Sequence, residues 1–174
     1  MKISRLICAT SLCCLLVNFT LSAQQRMKNI PAVTIKTLDG NAFSTTDLPL
    51  TGHPTIVSFW ATWCKPCLRE LNAMHDQLPD WQEDTKVKII AISIDDARSS
   101  ARAKTLVKGK RWEFDTYIDE NWNLKRAMNV INIPHTFILN KKGEIVWQHT
   151  SYKSGDEEKY YEIIKKIAEG KSIK

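Results

Sequence analysis

Apolar residues recur along this chain with two different spacings, and the spacings predict alternating strands and helices. Short apolar runs rich in β-branched residues, such as 55–58 and 87–94, are typical of buried strands. Apolar residues three or four positions apart predict amphipathic helices. Two such helices are expected, one with an apolar face of Leu68, Leu71, Met74 and Leu78, and one ending near residue 168 with a face of Tyr160, Ile163, Ile164 and Ile167.

The rest of the pattern completes an alternating order. Residues 33–38 and 42–44 flank an Asp-Gly-Asn turn, which predicts a hairpin. Asp95 and Asp96 end the 87–94 strand and are candidate caps for the next helix, with Gly109 just past its end. The other predicted strands are 114–118, the run after the proline at 134, and 144–149, and the other predicted helices are 97–107 and 123–128. A hairpin followed by β-α-β-α-β-α-β-β-α predicts a layered α/β fold.

Two cysteines lie between the strand at 55–58 and the first long helix. Cys64 falls at or just before the helix N-terminus, and Cys67 follows about one turn later. At this spacing the sulfurs can face each other, so the pair can form and break a disulfide. Unpaired backbone N–H groups and the positive end of the helix dipole lie near Cys64 and stabilise a thiolate. The pattern therefore indicates thiol chemistry near neutral pH.

A CxxC pair taken alone has other interpretations. Half of a zinc site has the same spacing, and a disulfide can serve only to hold a fold together. No second cysteine pair and no His-x₃₋₅-His pattern follows, so the sequence does not favour zinc, and we predict no metal here.

The stretch 59–67, Phe-Trp-Ala-Thr-Trp-Cys-Lys-Pro-Cys, resembles the active-site signature of the thioredoxin superfamily. The Ile-Pro-x-Thr-Phe run at 133–137 is similar to the cis-proline motif of that family. In this context a purely structural disulfide is the less favoured interpretation. The N-terminal hairpin and the long segment 97–128 resemble the TlpA/ResA-like branch. The resemblance implies a thioredoxin fold with an N-terminal β-hairpin extension and an inserted helix.

The resemblance assigns different roles to the two cysteines. Cys64 is implied to be the exposed, attacking thiolate, and Cys67 the thiol that resolves the mixed disulfide with the substrate. Lys65 places a cation beside Cys64, and Pro66 is expected to fix the first helical turn. Trp63 is expected to flank the site and to shape the surface on which a substrate docks.

The cis-proline motif adds two positions to the candidate site. The resemblance implies a cis bond before Pro134, facing the cysteines, and an extended substrate segment that pairs with the backbone of Ile133 as an added strand. The residues alone also allow an ordinary proline at the entry of a strand. His135, which follows the proline, and His75, on the first long helix, are both expected to be surface residues.

Glu70, three residues after Cys67, is the candidate proton carrier. The resemblance implies a Glu near the cysteines at this place, and a partly buried carboxylate there would have a raised pKa and could move protons to and from the thiols. The alternative is a solvated Glu balanced by Arg69 on the helix surface. Ser58 stands where thioredoxin itself has an acidic residue, which strengthens the case for Glu70.

Residues 1–23 are expected to be a secretory signal peptide, and residues 24–174 a thioredoxin-like domain. Lys2 and Arg5 precede a mostly apolar run at 6–21, and Ser22-Ala23 offers a cleavage point. An uncleaved membrane anchor is the alternative. Three of the five cysteines lie in this segment, so the mature protein would retain only the CxxC pair. Export would place that pair in the periplasm or another extracytoplasmic, oxidising compartment.

The charge pattern changes this picture little. The net charge is +6 and the pI about 9.1, but the basic residues are scattered and no aromatic residues alternate with them. Scattered lysines and arginines are typical of solvated faces, so we do not expect a nucleic-acid groove.

The predicted function is that of an exported thiol-disulfide oxidoreductase without a cofactor. The resemblance implies a reductase of protein disulfides, with the haem-attachment thiols of apocytochrome c as a substrate class. It also implies a membrane-embedded thiol donor that recharges the pair, and no stable membrane insertion after the signal is cleaved. The alternatives are a thiol peroxidase, a disulfide oxidase or isomerase of the same fold, and a redox-inert or metal-holding binding module.

Overall fold

The computed structural model describes residues 28–173. The predicted signal peptide therefore lies outside the described residues. Among the described residues, seven strands form one sheet, with four α-helices and one short 3₁₀ turn at Thr45–Asp47. The strands are β1 Thr34–Thr37, β2 Ala42–Ser44, β3 Thr55–Trp60, β4 Lys88–Ser93, β5 Asp115–Ile118, β6 His135–Leu139 and β7 Ile145–Thr150. The helices are α1 Lys65–Thr85, α2 Ser100–Lys110, α3 Asn123–Ala127 and α4 Asp156–Ala168.

The sheet has the strand order β2-β1-β5-β4-β3-β6-β7. Strands β3, β4 and β5 are parallel to one another, whereas β6 is antiparallel to β3 and β7 is antiparallel to β6. This is a thioredoxin fold, and the hairpin β1–β2 extends its sheet beyond β5, as the resemblance implies. The predicted order of elements is confirmed.

Strand β3 lies in the middle of the sheet, and all six of its residues are buried. Its β-branched and aromatic residues suit a strand that is covered on both faces. Helix α1 packs against α4. Because β3, β4 and β5 are parallel, their carboxyl ends meet at one edge, and the antiparallel β6 begins at that edge. Four loops therefore converge there, those after β3, β4 and β5 and the one before β6.

Helix α2 differs in its bounds from the prediction. It begins at Ser100 and not at residue 97, because Asp96 Oδ1 accepts hydrogen bonds from the N–H groups of Arg98 and Ser99 and so stabilises a turn before the helix. Gly109 lies inside the helix and does not end it. The helix ends at Arg111, which has a left-handed backbone with φ 55°.

Candidate active site

Cys64 is the N-cap residue of α1, and its sulfur is bonded to that of Cys67. The Cα atoms of the pair are 5.3 Å apart. Cys64 Sγ also accepts a hydrogen bond from the Cys67 N–H at 3.3 Å, which partners one of the free N–H groups at the helix start. Pro66 lies in the first turn, where a missing N–H costs nothing. The predicted placement of the pair at the start of a helix is confirmed.

The surroundings of the two cysteines differ in exposure. Cys64 retains 5% of its surface exposed and Cys67 none, so Cys64 is the sulfur nearer to solvent. Lys65 is exposed and Pro66 half-buried. The side chain of Trp63 is 64% exposed, as expected for a residue that flanks the site.

The loop before β6 reaches the same edge of the sheet as the cysteines. Phe59 in β3 lies opposite His135 in β6, so the end of β3 and the start of β6 are neighbours. The Ile133–Pro134 bond is cis, as the motif implies, with Pro134 buried and Ile133 half-buried. Ile131, two residues earlier, is 74% exposed. The sequence analysis did not single out Ile131, although an apolar residue in an exposed loop is a recognisable signal.

Glu70 is completely buried, and hydroxyl groups from three different elements donate to its carboxyl group. Ser58 Oγ of β3 lies 2.8 Å from Oε2. Thr136 Oγ1 of β6 and Tyr160 OH of α4 lie 2.8 Å and 2.7 Å from Oε1. The alternative of a solvated surface Glu is therefore wrong. Because positions three apart share one face of a helix, the carboxyl group lies within a turn of Cys67.

Burial governs the protonation of this carboxyl group. Removal from water raises the pKa of Glu70 above its ordinary value, since the charged form loses its hydration. Hydrogen bonds from Tyr160, Ser58 and Thr136 oppose this rise, and the nearby charge of Asp156 adds to it. Burial, with Glu70 as the second cause, also raises the pKa of Tyr160, so its phenol remains a hydrogen-bond donor. A carboxyl group with a raised pKa exchanges protons nearer to neutral pH.

A second buried carboxylate, that of Asp95, lies just after β4. Its Oδ2 accepts from the Thr62 N–H at 2.9 Å and from the Ser93 hydroxyl at 2.7 Å, and its Oδ1 accepts from the Thr62 hydroxyl at 2.7 Å. Thr62 lies two residues before Cys64, so Asp95 holds the turn that leads to the first cysteine. Its expected role as a helix cap is wrong, because the N-cap residue of α2 is Ser99 and Asp96 closes the turn before that helix.

The two histidines are less exposed than the sequence suggested. His135 is buried, its Nε2 lies 3.0 Å from Gln148 Oε1, and its ring stacks on Phe137. Burial lowers the pKa of His135, which favours the neutral ring. His75 is half-buried, and its ring packs edge-on against Phe114. The expectation of a surface residue is therefore wrong for His135, whereas His75 is only partly covered.

The chemistry at this edge comes from thiols, hydroxyls and carboxyl groups. Within residues 28–173, no three His, Cys, Asp or Glu side chains come close enough together to bind a metal ion. None of the helices in that same range is both long and apolar enough to cross a membrane.

Comparison with known proteins places the chain in a family. The model of the AhpC/TSA family matches residues 27–148. The sporulation thiol-disulfide oxidoreductase A of Bacillus subtilis is 30% identical over 125 residues, which cover 71% of this chain and 73% of that protein. The thiol-disulfide oxidoreductase ResA of Bacillus cereus is 29% identical over 159 residues, which cover 87% of this chain and 88% of that protein.

Solved structures agree with this assignment. The solution structure of an uncharacterised thioredoxin-like protein from Porphyromonas gingivalis is 40% identical and has a TM-score of 0.73, covering 83% of this chain and 94% of that one. The crystal structure of StoA from Bacillus subtilis is 25% identical and has a TM-score of 0.59, covering 76% of this chain and 97% of that one. Fold, cysteine pair and relatives thus agree, and the chain belongs to the AhpC/TSA family as a thiol-disulfide oxidoreductase of the thioredoxin superfamily, similar to ResA and StoA.

Proposed function

We propose that this protein is an exported reductase of protein disulfides that works through Cys64 and Cys67. One observation carries the proposal. The redox pair lies at the start of a helix, and a buried carboxyl group of raised pKa, that of Glu70, lies one turn further along the same helix. This arrangement combines an activated thiol with a group that can hold the proton of the second thiol.

The reaction begins from the reduced pair. The Cys64 thiolate attacks one sulfur of the substrate disulfide, the substrate S–S bond breaks, and a mixed disulfide forms while one substrate thiolate leaves. The helix N-terminus favours the thiolate form of Cys64, and the cation of Lys65 adds to this effect. The greater exposure of Cys64 supports its role as the first nucleophile.

Resolution uses the buried thiol. Cys67 loses its proton to the Glu70 carboxylate and attacks Cys64 Sγ, which releases the second substrate thiolate and leaves the Cys64–Cys67 disulfide. The substrate has then gained two electrons as two thiolates; one takes up the Cys67 proton from Glu70, and the other takes up from solvent the proton that Cys64 lost earlier. Glu70 returns its proton to a leaving thiolate, since a carboxyl group of raised pKa donates readily near neutral pH.

The surface around Cys64 suits an extended protein segment. Two exposed apolar side chains lie on the loops that meet here, Trp63 directly before Cys64 and Ile131 in the loop before β6. A substrate segment that pairs with the Ile133 backbone beside Pro134 would lie between them as an added strand. The side chains beside the substrate disulfide would then contact Trp63 and Ile131.

The sequence and the relatives support a proposal for the location and the partners. We propose that the signal peptide is removed after Ala23, so that residues 24–174 work outside the cytoplasm. A reductase in an oxidising compartment must itself be reduced, and we propose a membrane-embedded protein dithiol as its electron donor. The proposed clients are disulfide-bearing proteins, among them apocytochromes c.

The first experiment is the reduction potential of the pair in residues 24–174, obtained by equilibration with glutathione or dithiothreitol. A reductase is expected at about −270 mV or lower, near the value of thioredoxin. A value near about −120 mV would instead identify an oxidant that donates disulfides and would overturn the proposal. In the same preparation, Cys67→Ser should accumulate a mixed disulfide with client proteins, whereas Cys64→Ser should not.

A peroxidase is the main rival, and it has less support in the geometry. The Thr-x-x-Cys arrangement of a peroxidatic site is not present at Cys64, because Ala61 occupies the position three residues before it. The nearby hydroxyl of Thr62 donates to Asp95. Hydrogen peroxide consumption that disappears in Cys64→Ser, with no reduction of insulin disulfides, would favour the rival.

A further inference from the structure

Asp95 lies at the carboxyl end of β4 and contacts the turn that leads to the redox pair. Three hydrogen bonds reach its carboxylate, two from Thr62 and one from Ser93. The turn is closed further by the Cys64 N–H, which donates to Ala61 O at 3.1 Å. All three groups donate, so the carboxyl oxygens of Asp95 act as acceptors in each of these contacts. The carboxylate is wholly buried, so solvent does not screen it well.

Thr62 links Asp95 to the redox sulfur along the chain. Thr62 makes two of the hydrogen bonds to Asp95 and lies two residues before Cys64, so the Cα atoms of Thr62 and Cys64 are at most about 7 Å apart. The Asp95 carboxyl group is therefore on the order of 10 Å from the redox sulfur, and at that range a buried negative charge disfavours a second one by roughly tenfold in the ionisation equilibrium. The other titratable or charged groups among the described residues near this edge are Lys65 on α1, Glu70 under Cys67, Asp119 beneath α3, and His135 at the start of β6.

We propose that Asp95 is a positioning residue that also keeps the redox pair reducing: it fixes the Thr62 turn and sets a buried negative charge beside Cys64 that opposes the thiolate. A destabilised thiolate destabilises the reduced form relative to the disulfide, which makes the pair a stronger reductant. The inference deepens the proposed function, because it names the group that sets the direction of the reaction. Helix α1 alone would favour the thiolate, and Asp95 moderates that effect.

The test compares two neighbouring carboxylates. Asp95→Asn removes the buried charge and keeps the shape of the side chain, whereas Asp96→Asn makes the same change on an exposed neighbour. Two readouts are used, the pH dependence of Cys64 alkylation and the reduction potential at pH 9.5, where the thiolate form dominates. We expect Asp95→Asn to lower the pKa of Cys64 by about one unit and to shift the equilibrium with dithiothreitol about tenfold towards the reduced pair, or about 30 mV. Asp96→Asn should leave both readouts unchanged.

A second variant distinguishes an effect of the Asp95 charge on Cys64 from a purely structural role of Asp95 in the Thr62 turn. Thr62→Val removes one hydroxyl donor to Asp95 and keeps the carboxylate, which is then less neutralised. We therefore expect Thr62→Val to raise the pKa of Cys64, opposite in sign to Asp95→Asn. If Asp95 only supported the turn, both variants would loosen the same loop and shift the pKa in the same direction, and that outcome would overturn the inference. Equal readouts for Asp95→Asn and Asp96→Asn would overturn it as well.

A variant that does not fold and a protein that reduces no client can both be distinguished from a failure of the inference. If Asp95→Asn lacks the near-ultraviolet circular dichroism of a folded protein, Asp95→Ser supplies a smaller neutral side chain, and Thr62→Val still tests the sign by itself. Neither readout needs a client protein, because both follow only the Cys64–Cys67 pair. A pair that reduces no client but shows the expected shifts would count against the proposed function and leave the inference standing.

Discussion

Two carboxyl groups, those of Glu70 and Asp95, are fully buried on either side of the redox pair, and their partners differ in kind. Glu70 has only side-chain hydroxyls as partners, from β3, β6 and α4. Asp95 accepts from a backbone N–H as well as from hydroxyls, all close to it along β4 and the neighbouring turn. Hydroxyls can rotate and either donate or accept, whereas a backbone N–H only donates. The partners of Glu70 can therefore follow a change in its protonation, whereas Asp95 has one partner, the Thr62 N–H, that can only donate.

The largest effect is expected from Glu70→Gln. The amide keeps the size of the side chain but cannot take a proton from a thiol or return one near neutral pH. The disulfide-reduction rate should therefore fall by about 10²-fold. Insulin reduction under single turnover measures this change. Asp95→Asn is the matched comparison and should reduce the same rate by less than about tenfold, since it shifts an equilibrium and removes no proton carrier. Equal losses of reduction rate in the two variants would contradict the assignment of proton transfer to Glu70 and of a positioning role to Asp95.

The next prediction concerns stability, for which the change at Asp95 is expected to have a larger effect than the change at Glu70. Asp95→Ala leaves the Thr62 N–H and hydroxyl without their acceptor, which should lower the free energy of unfolding by about 2–3 kcal/mol. Glu70→Gln keeps one oxygen that accepts from two hydroxyls, and the third hydroxyl can rotate to accept from the amide NH₂, so the change should cost less than about 1 kcal/mol at pH 6. Urea denaturation of the oxidised proteins measures both values. A larger loss of unfolding free energy for Glu70→Gln than for Asp95→Ala would show that the three hydroxyl contacts of Glu70 stabilise this edge more than the contacts of Asp95 do.

The pH dependence of stability sharpens the comparison further. Because the folded pKa of Glu70 is raised above its unfolded value, its contribution is fully present below the unfolded pKa and is lost as pH rises through the folded pKa. The wild-type protein should therefore lose stability relative to Glu70→Gln as pH increases across that window. Unfolding midpoints in urea from pH 4 to pH 8 measure the difference. A wild-type protein that gains stability over Glu70→Gln on going to high pH would contradict the raised pKa.

The smallest effect is expected from Tyr160→Phe, which removes one of the three donors to Glu70. Loss of that hydrogen bond should raise the pKa of Glu70 further and move the pH profile of client reduction to higher pH. Stability should fall by about 1 kcal/mol. The pH profile is the decisive measurement, because a purely structural role of the phenol would lower stability and leave the profile in place. Tyr161→Phe is the control, because Tyr161 lies on the same helix and its hydroxyl does not donate to Glu70.

The sequence analysis placed Glu70 in the candidate site, but it gave Asp95 only a capping role and did not place it at the turn before Cys64. This difference has a physical reason. Glu70 lies three residues from Cys67 on a helix, so its proximity follows from helical periodicity and its importance from the resemblance. Asp95 lies 31 positions beyond Cys64 in the chain, and only the parallel pairing of β3 with β4 brings it to Thr62. A sequence places residues well along one element and poorly across neighbouring ones. The three hydroxyl donors to Glu70 also come from separate elements, and the sequence analysis did not connect them.

The element order and the cysteine position were predictable for a similar reason, since both rest on local periodicity and on a contiguous motif. The start of α2 was not, because Asp95 and Asp96 offered the same capping chemistry, whereas the fold directs Asp95 to Thr62, uses Asp96 to close a turn and makes Ser99 the N-cap. Burial of His135 was missed because a histidine on a strand faces either solvent or the core. Its register against β3 and β7 settles that choice.

The hydrogen bond from Tyr160 to Glu70 links α4 to the chemistry of α1. A ribosome completes α4 only after it has made the seven described strands and the helices α1 to α3. The acid–base properties of the active site therefore reach their final values only when the whole chain is present and docked. An export intermediate or a C-terminally truncated product would have the cysteine pair without its tuned proton carrier, so completeness of the fold acts as a condition for competent redox exchange.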